Sequence, residues 1–376
     1  MAKRYIPSPQ TVETYFNIVR NALWGTPLGE IPSLYDVLKL AEVQRTRGLV
    51  YQSLLDCKFP IDGKVFSVFD DFLLRTAYTH GIQDQVMVKA VTALRSAGIE
   101  PVLLKGEGNS RNYPNNLLRE CGDIDLYVGE KNYEAACRAM RELASSKDVE
   151  DSSSTDKHYH IKVGAITVEI HRFTHIFDVA SMDPLYQKYS DEGTSVGLVP
   201  IDVEKIKVNT PEPTFNAFFV FIHAWHHFLS EGLGMRHMCD WVTLLHNRRD
   251  LIDKKKLSDM VLSLGMEIPW KVFAFIAVEK LGLPKEDVPL YDPSVADKAE
   301  ATLSIILEEG NFGTERKKGK KRSANYYIGK AQSLLSYIRR DARIAKIFPG
   351  ETGHHFFFVL VRGFRQVWLD KTEGNG

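Results

Sequence analysis

Apolar positions in residues 8–95 recur at the three- and four-residue spacing of helices. Val12, Tyr15, Phe16, Val19 and Leu23 form one stripe, and Leu34, Val37, Leu38 and Ala41 form the next. Residues 66–94 are long enough for one helix, or for two broken at Gly81. After Gly98 the period changes. Pro101-Val102-Leu103-Leu104 is a short apolar run that reads as a buried strand, and Lys105-Gly106-Glu107-Gly108 reads as a turn. Residues 123–128 alternate with period two and predict a second strand. Residues 133–143 read as a helix, 145–156 as an exposed loop, and the runs 158–163 and 165–171 as a hairpin about Gly164. Beyond Pro211 and Pro213 helical spacing returns, over 215–229, 236–248, 269–281, 295–309, 325–347 and 354–369. The expected fold is α+β: a helical region over 1–95, a small core with a mixed sheet over 96–210, and a helical domain over 211–376.

Composition narrows the class. The chain has 376 residues, 44% hydrophobic and 26% charged, which excludes disorder, collagen and coiled coil as the main architecture. Lys plus Arg (48) balances Asp plus Glu (48), so nucleic acid is not the expected partner. No window approaches the roughly 18 consecutive apolar residues of a membrane helix. The first residues, Met1 to Pro7, carry a charge pair with no apolar run behind it, so a secretory signal is not expected. Cys57, Cys121, Cys137 and Cys239 are scattered, with no C-x-x-C spacing, which argues against a disulfide framework or structural zinc and points to the cytoplasm.

The candidate chemistry begins at Asp123 and Asp125. On a strand, residues i and i+2 share a face, so both carboxylates project together about 6–7 Å apart. Ile124 and Leu126 then face a core. Paired carboxylates on a rigid strand suit a divalent metal with hard oxygen ligands, and two metals so held serve in-line phosphoryl displacement. D-x-[DE] recurs by chance, as at Asp148-Val-Glu150 and Asp202-Val-Glu204, but neither of these has the turn that precedes Asp123. In that turn Gly106 and Gly108 admit a ligand close to the backbone, and Lys105 adds a point charge. A helix over 109–118 would present free N–H groups to phosphate. The turn matches neither a P-loop nor G-x-G-x-x-G. Downstream, Val168 and Ile170 face the core while Glu169 and His171 share the other face, so Glu169 supplies a third acid.

Val102-Leu-Leu-Lys-Gly106, Tyr113-Pro114, Arg119, Asp123-Ile-Asp-Leu126 and Val168-Glu-Ile-His171 together resemble the uncharacterised nucleotidyltransferase family of the polymerase-beta-like superfamily. His223, His226, Gly232, Arg236, Asp240 and Trp241 are similar to that family's helical stretch of His, Gly, Arg and Asp-Trp. The turn departs from the superfamily's Gly-Gly or Gly-Ser, reading Gly106-Glu107. The resemblance implies a small nucleotidyltransferase core and transfer of a nucleotidyl group from a nucleoside triphosphate to a hydroxyl or amine. It places Mg²⁺ (or Mn²⁺) on Asp123 and Asp125. Glu169, with one of the two Asp residues, would hold a second metal or act as base. Lys105, Gly106 and Gly108 would hold phosphates. Arg119 would either neutralise pyrophosphate or pair with an acid. His171, His223, His226, Arg236 and Asp240 would line the pocket of a small-molecule or saccharide-like acceptor.

Other features carry competing readings. A catalytically inactive nucleotide- or partner-binding regulator of the same fold would keep the site without turnover. A helical metal hydrolase would use His226 and Asp240, although the chain has no His-Asp dipeptide and no H-E-x-x-H. Arg236 and Asp240 are expected to form an ion pair locking the helical domain against the core. The basic run 316–322 reads as a solvated loop, and the aromatic run 356–358 as core.

Overall fold

The alternation after Gly98 resolves into a six-stranded mixed sheet, in a computed structural model that describes residues 5–120, 122–143, 158–177, 179–318 and 326–356. Helices α1 (Pro9–Trp24), α2 (Leu34–Gln44), α3 (Arg47–Asp56) and α4 (Gly63–Ser96) lead into strand β1 (Val102–Leu104) and the short helix α5 (Gly106–Ser110). Next come β2 (Ile124–Tyr127), α6 (Tyr133–Leu143), β3 (His158–Val163), β4 (Ile166–His171), α7 (Asp183–Gly193), β5 (Val199–Val203) and β6 (Ile206–Thr210). Helices α8 (Pro213–Ser230), α9 (Met235–Asn247), α10 (Lys254–Ser263), α11 (Glu267–Phe275), α12 (Ala296–Glu309), α13 (Thr314–Lys317) and α14 (Tyr326–Ile344) follow. This is the expected mixed architecture, a central sheet flanked by N- and C-terminal helices. Strands β5 and β6 and helices α7 and α10 are additions to the sequence expectation.

The strand order is β3-β4-β2-β1-β6-β5. β2 runs parallel to β4 and β1 parallel to β6, while the other neighbours are antiparallel. One face of the sheet is apolar because period-two alternation sends Ile124, Leu126, Val168 and Ile170 to it. Helix α4 covers that face with Val86, Met87, Ala90, Val91 and Leu94, and α6 adds Ala136 and Met140. Each large side chain so buried contributes about 1.5–3 kcal/mol. Asp62 caps α4 through the amides of Lys64 and Val65, and Gly81 lies inside it without a break. A single unbroken helix therefore backs the sheet and reaches the turn after β1.

A second cluster joins the two ends of the chain. Tyr15 of α1, Leu40 of α2 and Leu54 of α3 pack in one continuous core with Phe218, Phe221, Trp241, Trp270 and Phe273. Helices α8 and α9 are thereby fixed over the polar face of the sheet. The expected loop 145–156 and the decoy acids of 148–150 lie outside the described residues, as do Cys121, the segment 319–322 and positions 357–369. No helix among the described residues is long and apolar enough to cross a membrane.

Candidate active site

Strand register brings the acids together. Asp125 of β2 pairs with Glu169 of the parallel strand β4, and Glu169 pairs with His160 of β3. In the next row on the same face, His171 pairs with Tyr127 and His158. Asp125 is buried, and its Oδ1 accepts from Lys105 Nζ at 2.8 Å and from His171 Nε2 at 2.8 Å. Burial alone would raise this carboxyl; Lys105 and His171 overcome it and hold the group far below the usual carboxylate range. Glu169 Oε2 lies 3.2 Å from the same His171 nitrogen, and its Oε1 lies 3.5 Å from His160 Nδ1. Burial raises Glu169, but the His171 bond and Lys105 outweigh both burial and the charge of Asp125. Carboxylates only accept, so Nε2 of His171 carries a proton shared between the two acids. Asp123, one residue before β2, is pushed up by burial and then by the charges of Glu169 and Asp125. Lys105 is raised despite its burial, because Asp125, Glu169 and Asp123 face it.

The turn after β1 is shaped by the loop that enters β2. A Cβ at Gly106, whose φ is +22°, would lie 3.3 Å from the Asp123 carbonyl oxygen. Gly108 is tight against the sheet instead, where a Cβ would meet Thr210 Cγ2 at 3.3 Å. The expected helix over 109–118 does not form. Helix α5 starts at Gly106 and stops at Ser110, and Asn116–Leu118 is a separate turn. Pro114 explains the interruption, since it lacks an amide hydrogen and restricts Tyr113 before it. Five residues are too few for the anion site expected there.

Glu107, the departure in the turn, points away from the acids. It is buried, with Oε1 2.6 Å from His80 Nδ1 and Oε2 accepting from Ser110 Oγ at 2.9 Å. The other nitrogen of His80 lies 2.9 Å from the Arg119 carbonyl oxygen, and Gln83 donates to the Gly122 carbonyl. Both partners of His80 offer acceptor oxygens, an arrangement that favours the protonated ring. Burial opposes this charge, and the bonds and charge of Glu107 outweigh it, raising the His80 pKa. A raised histidine stabilises the fold fully below its unfolded value of about 6.5, and the gain is lost as pH rises through the folded value. His80→Gln should therefore remove a fall in denaturant midpoint that the parent shows on raising pH above about 6.5.

Arg119 takes the structural alternative. Its Nε and Nη2 bond both oxygens of Asp240 on α9 at 2.7 Å, and Tyr113 Oη donates to Asp240 Oδ1 at 2.7 Å. The expected Arg236–Asp240 pair is thus corrected. Asp240 is buried and faces the planar fork of Arg119, whereas Arg236 donates to the Glu120 carbonyl. Glu120 itself bonds Arg47 at 2.8 Å and Arg45 at 3.3 Å. With both its oxygens engaged by Arg119, Asp240 is spoken for as a metal ligand of the helical hydrolase reading.

The model of the uncharacterised nucleotidyltransferase family matches residues 34–281, more than half of the chain. The chain belongs to this family. Membership supports a nucleotidyltransferase-type fold and enzymatic potential of that general class. No curated protein and no solved structure matches the chain.

In this member of the family a cavity of about 570 Å³ lies between the sheet and helices α8 and α9. Lys105, Gly106, Arg119, Asp123, Asp125, Glu169 and His171 line it from the sheet side, and His223, His226, Arg236 and Asp240 from the helical side. Gly108 is the single residue selected from the sequence that is not in the lining. His226 also borders a smaller, more apolar pocket with His175, Phe177 and Trp225. Sequence reading missed His80, Glu120, Asn311 and Phe312, which reach the site or its support from distant segments. Among the described residues two clusters could hold a metal ion: His158, Glu169 and His171 on the sheet, and His223, His227 and His237 on the helices. Glu169 belongs to the sheet cluster and Asp123 and Asp125 to neither, while the charges of Glu169 and Asp125 add to burial in raising Asp123, a repulsion that a hard divalent cation would relieve.

Proposed function

We propose that the protein is a metal-dependent nucleotidyltransferase that moves a nucleoside monophosphate from a nucleoside triphosphate to a hydroxyl or amine of a small-molecule or saccharide-like acceptor. The observation that carries this reading is the convergence of Asp123, Asp125 and Glu169 in one cavity, two of them paired in register on adjacent strands. These three residues would hold Mg²⁺ or Mn²⁺, which when bound supplies neutralisation of phosphate charge. Lys105 lines the same cavity and keeps its charge against burial, so it is placed to neutralise a phosphate oxygen. Gly106 leaves the backbone open where a side chain would block approach. Glu169 stays ionised and would accept a hydrogen bond from the acceptor's nucleophile, orienting it and drawing off its proton. The nucleophile forms a bond to the α-phosphorus, the bond from that phosphorus to the bridging oxygen breaks, and pyrophosphate leaves. Catalysis of this kind is positioning and charge neutralisation. The inward rotation of Glu107 toward His80 supports the reading, since it removes an anion from the phosphate side.

The test is thermal shift and pyrophosphate release with each of the four common ribonucleoside triphosphates and Mg²⁺ or Mn²⁺. Metal-dependent stabilisation by a nucleotide, lost in an Asp123→Ala, Asp125→Ala double variant, is the expected outcome. Stabilisation without pyrophosphate release in the presence of acceptor pools would favour the non-catalytic regulator. No stabilisation by any nucleotide would remove the nucleotide site.

A further inference from the structure

The helical wall of the cavity holds a second group of donors that the transfer reaction does not use. His223 and His227 stand one turn apart on α8 and share a face. His237 comes from the first turn of α9. One nitrogen from each of the three rings lies within 4.8 Å of the other two. We infer that His223, His227 and His237 form a second metal centre, selective for Zn²⁺ or a similar transition metal, with an open coordination position toward the cavity.

Several observations support it. The Nε2 atoms of His223 and His227 are 3.1 Å apart. Two nitrogens bound at about 2.05 Å to a tetrahedral Zn²⁺ lie about 3.3 Å from each other. The separation already suits two ligands of one ion; it also suits an N–H···N bond, and the experiment below separates the two. His237 is oriented by its own backbone. Its Nδ1 lies 3.3 Å from the Gly234 carbonyl oxygen, which only accepts, so Nδ1 holds the proton and Nε2 presents its lone pair. Glu231 Oε2 stands 4.0 Å from Nδ1 of His227, the side on which a ligating histidine usually finds a carboxylate.

The support around the cluster depends on two glycines. Gly232 has φ +122°, and a Cβ there would come within 2.6 Å of the Gly313 amide nitrogen. A Cβ at Gly234 would meet Asn311 Oδ1 at 2.7 Å. The close approach lets Phe312 pack on the rings of His227 and His237, at 5.0 and 5.8 Å between centroids. Three elements therefore fix the rings, and the donor set differs in kind from the sheet acids. Imidazoles suit Zn²⁺ and its neighbours, carboxylates suit Mg²⁺. Three protein ligands leave a fourth position for water or for an oxygen of the bound acceptor. The inference does not depend on the transfer reaction, because both the metal and its ligands can be read without turnover.

The metal-free full-length protein would be titrated with Co²⁺ and followed by its visible absorption, then challenged with Zn²⁺. The expected result is one equivalent of Co²⁺ with the intense bands of a tetrahedral site, displaced by Zn²⁺. The bands should disappear in His223→Gln, His227→Gln and persist in His158→Gln and in Asp123→Asn, Asp125→Asn. If the double histidine variant does not fold, as judged by circular dichroism, His223→Gln alone should weaken Co²⁺ binding about tenfold or more. Absence of tetrahedral bands in the parent overturns the inference. So does their loss in His158→Gln with retention in the α8 variants, which would move the ion to the sheet cluster.

Discussion

Asp123→Asn is expected to lower metal-dependent nucleotidyl transfer by about two to three orders of magnitude or more, while the metal-free protein becomes no less stable. The two effects have one cause. Asp123 is the acid of the three whose pKa is raised, by burial and then by Glu169 and Asp125. A raised acid adds stability at low pH that disappears as pH rises through its folded value. At neutral pH its charge is therefore a liability to the fold, and Asn removes it at nearly constant shape. The same charge is what would hold a divalent cation. Thermal unfolding without metal should thus show an equal or higher midpoint for the variant, and its pH dependence in the acid range should be weaker. With Mg²⁺ and nucleotide present, the parent should be stabilised and the variant should not. A variant that loses both activity and metal-free stability would make Asp123 a structural residue. One that keeps turnover would remove it from the site altogether.

The division between what the chain announces locally and what it does not follows the range of the interactions. Period-two alternation around Asp123 and Glu169 placed both acids on one sheet face, because side-chain direction in a strand is fixed by neighbouring residues alone. The hairpin about Gly164 was visible for the same reason, with φ +64° at that glycine. Strands β5 and β6 were not visible. They are five residues each, and they turn at Glu204, a residue with φ +51° that carries no turn signature. Helix α10 opens with three lysines and hides its buried Leu257, Met260 and Val261 behind them. The direction of Glu107 is set by His80, twenty-seven positions upstream on another helix, so no spacing rule reports it. The conflict over Asp240 is the clearest instance. The expected partner was Arg236, an i, i+4 neighbour on the same helix, and such a pair is worth about 0.3–0.5 kcal/mol on an exposed surface. Burial decided otherwise. A buried carboxylate needs both oxygens satisfied, and Arg119 offers two parallel N–H bonds.

Asp240→Ala is accordingly expected to destabilise the protein by about 3–5 kcal/mol, measured as a shift in denaturant midpoint. Both side chains of the pair are only 5% exposed, so the deletion strips a buried guanidinium of its bidentate carboxylate. It also leaves the Tyr113 hydroxyl without its acceptor at 2.7 Å. Arg236→Ala should cost less, about 1.5–3 kcal/mol for the loss of its charged bond to the Glu120 carbonyl. Similar losses at Arg236 and Asp240 would restore the local pairing and contradict the geometry. The double replacement Arg119→Met, Asp240→Leu should recover much of the stability, because exchanging a buried pair for apolar side chains is often neutral or favourable. That recovery separates two roles. Arg119 lies four residues before Asp123, and its carbonyl oxygen anchors His80, which in turn holds Glu107 away from the phosphate side. If the pair serves only to fix this segment, the apolar double variant should regain nucleotidyl transfer together with stability. If Arg119 also neutralises pyrophosphate in the cavity it lines, stability should return while turnover stays low, with the loss in kcat greater than that in KM.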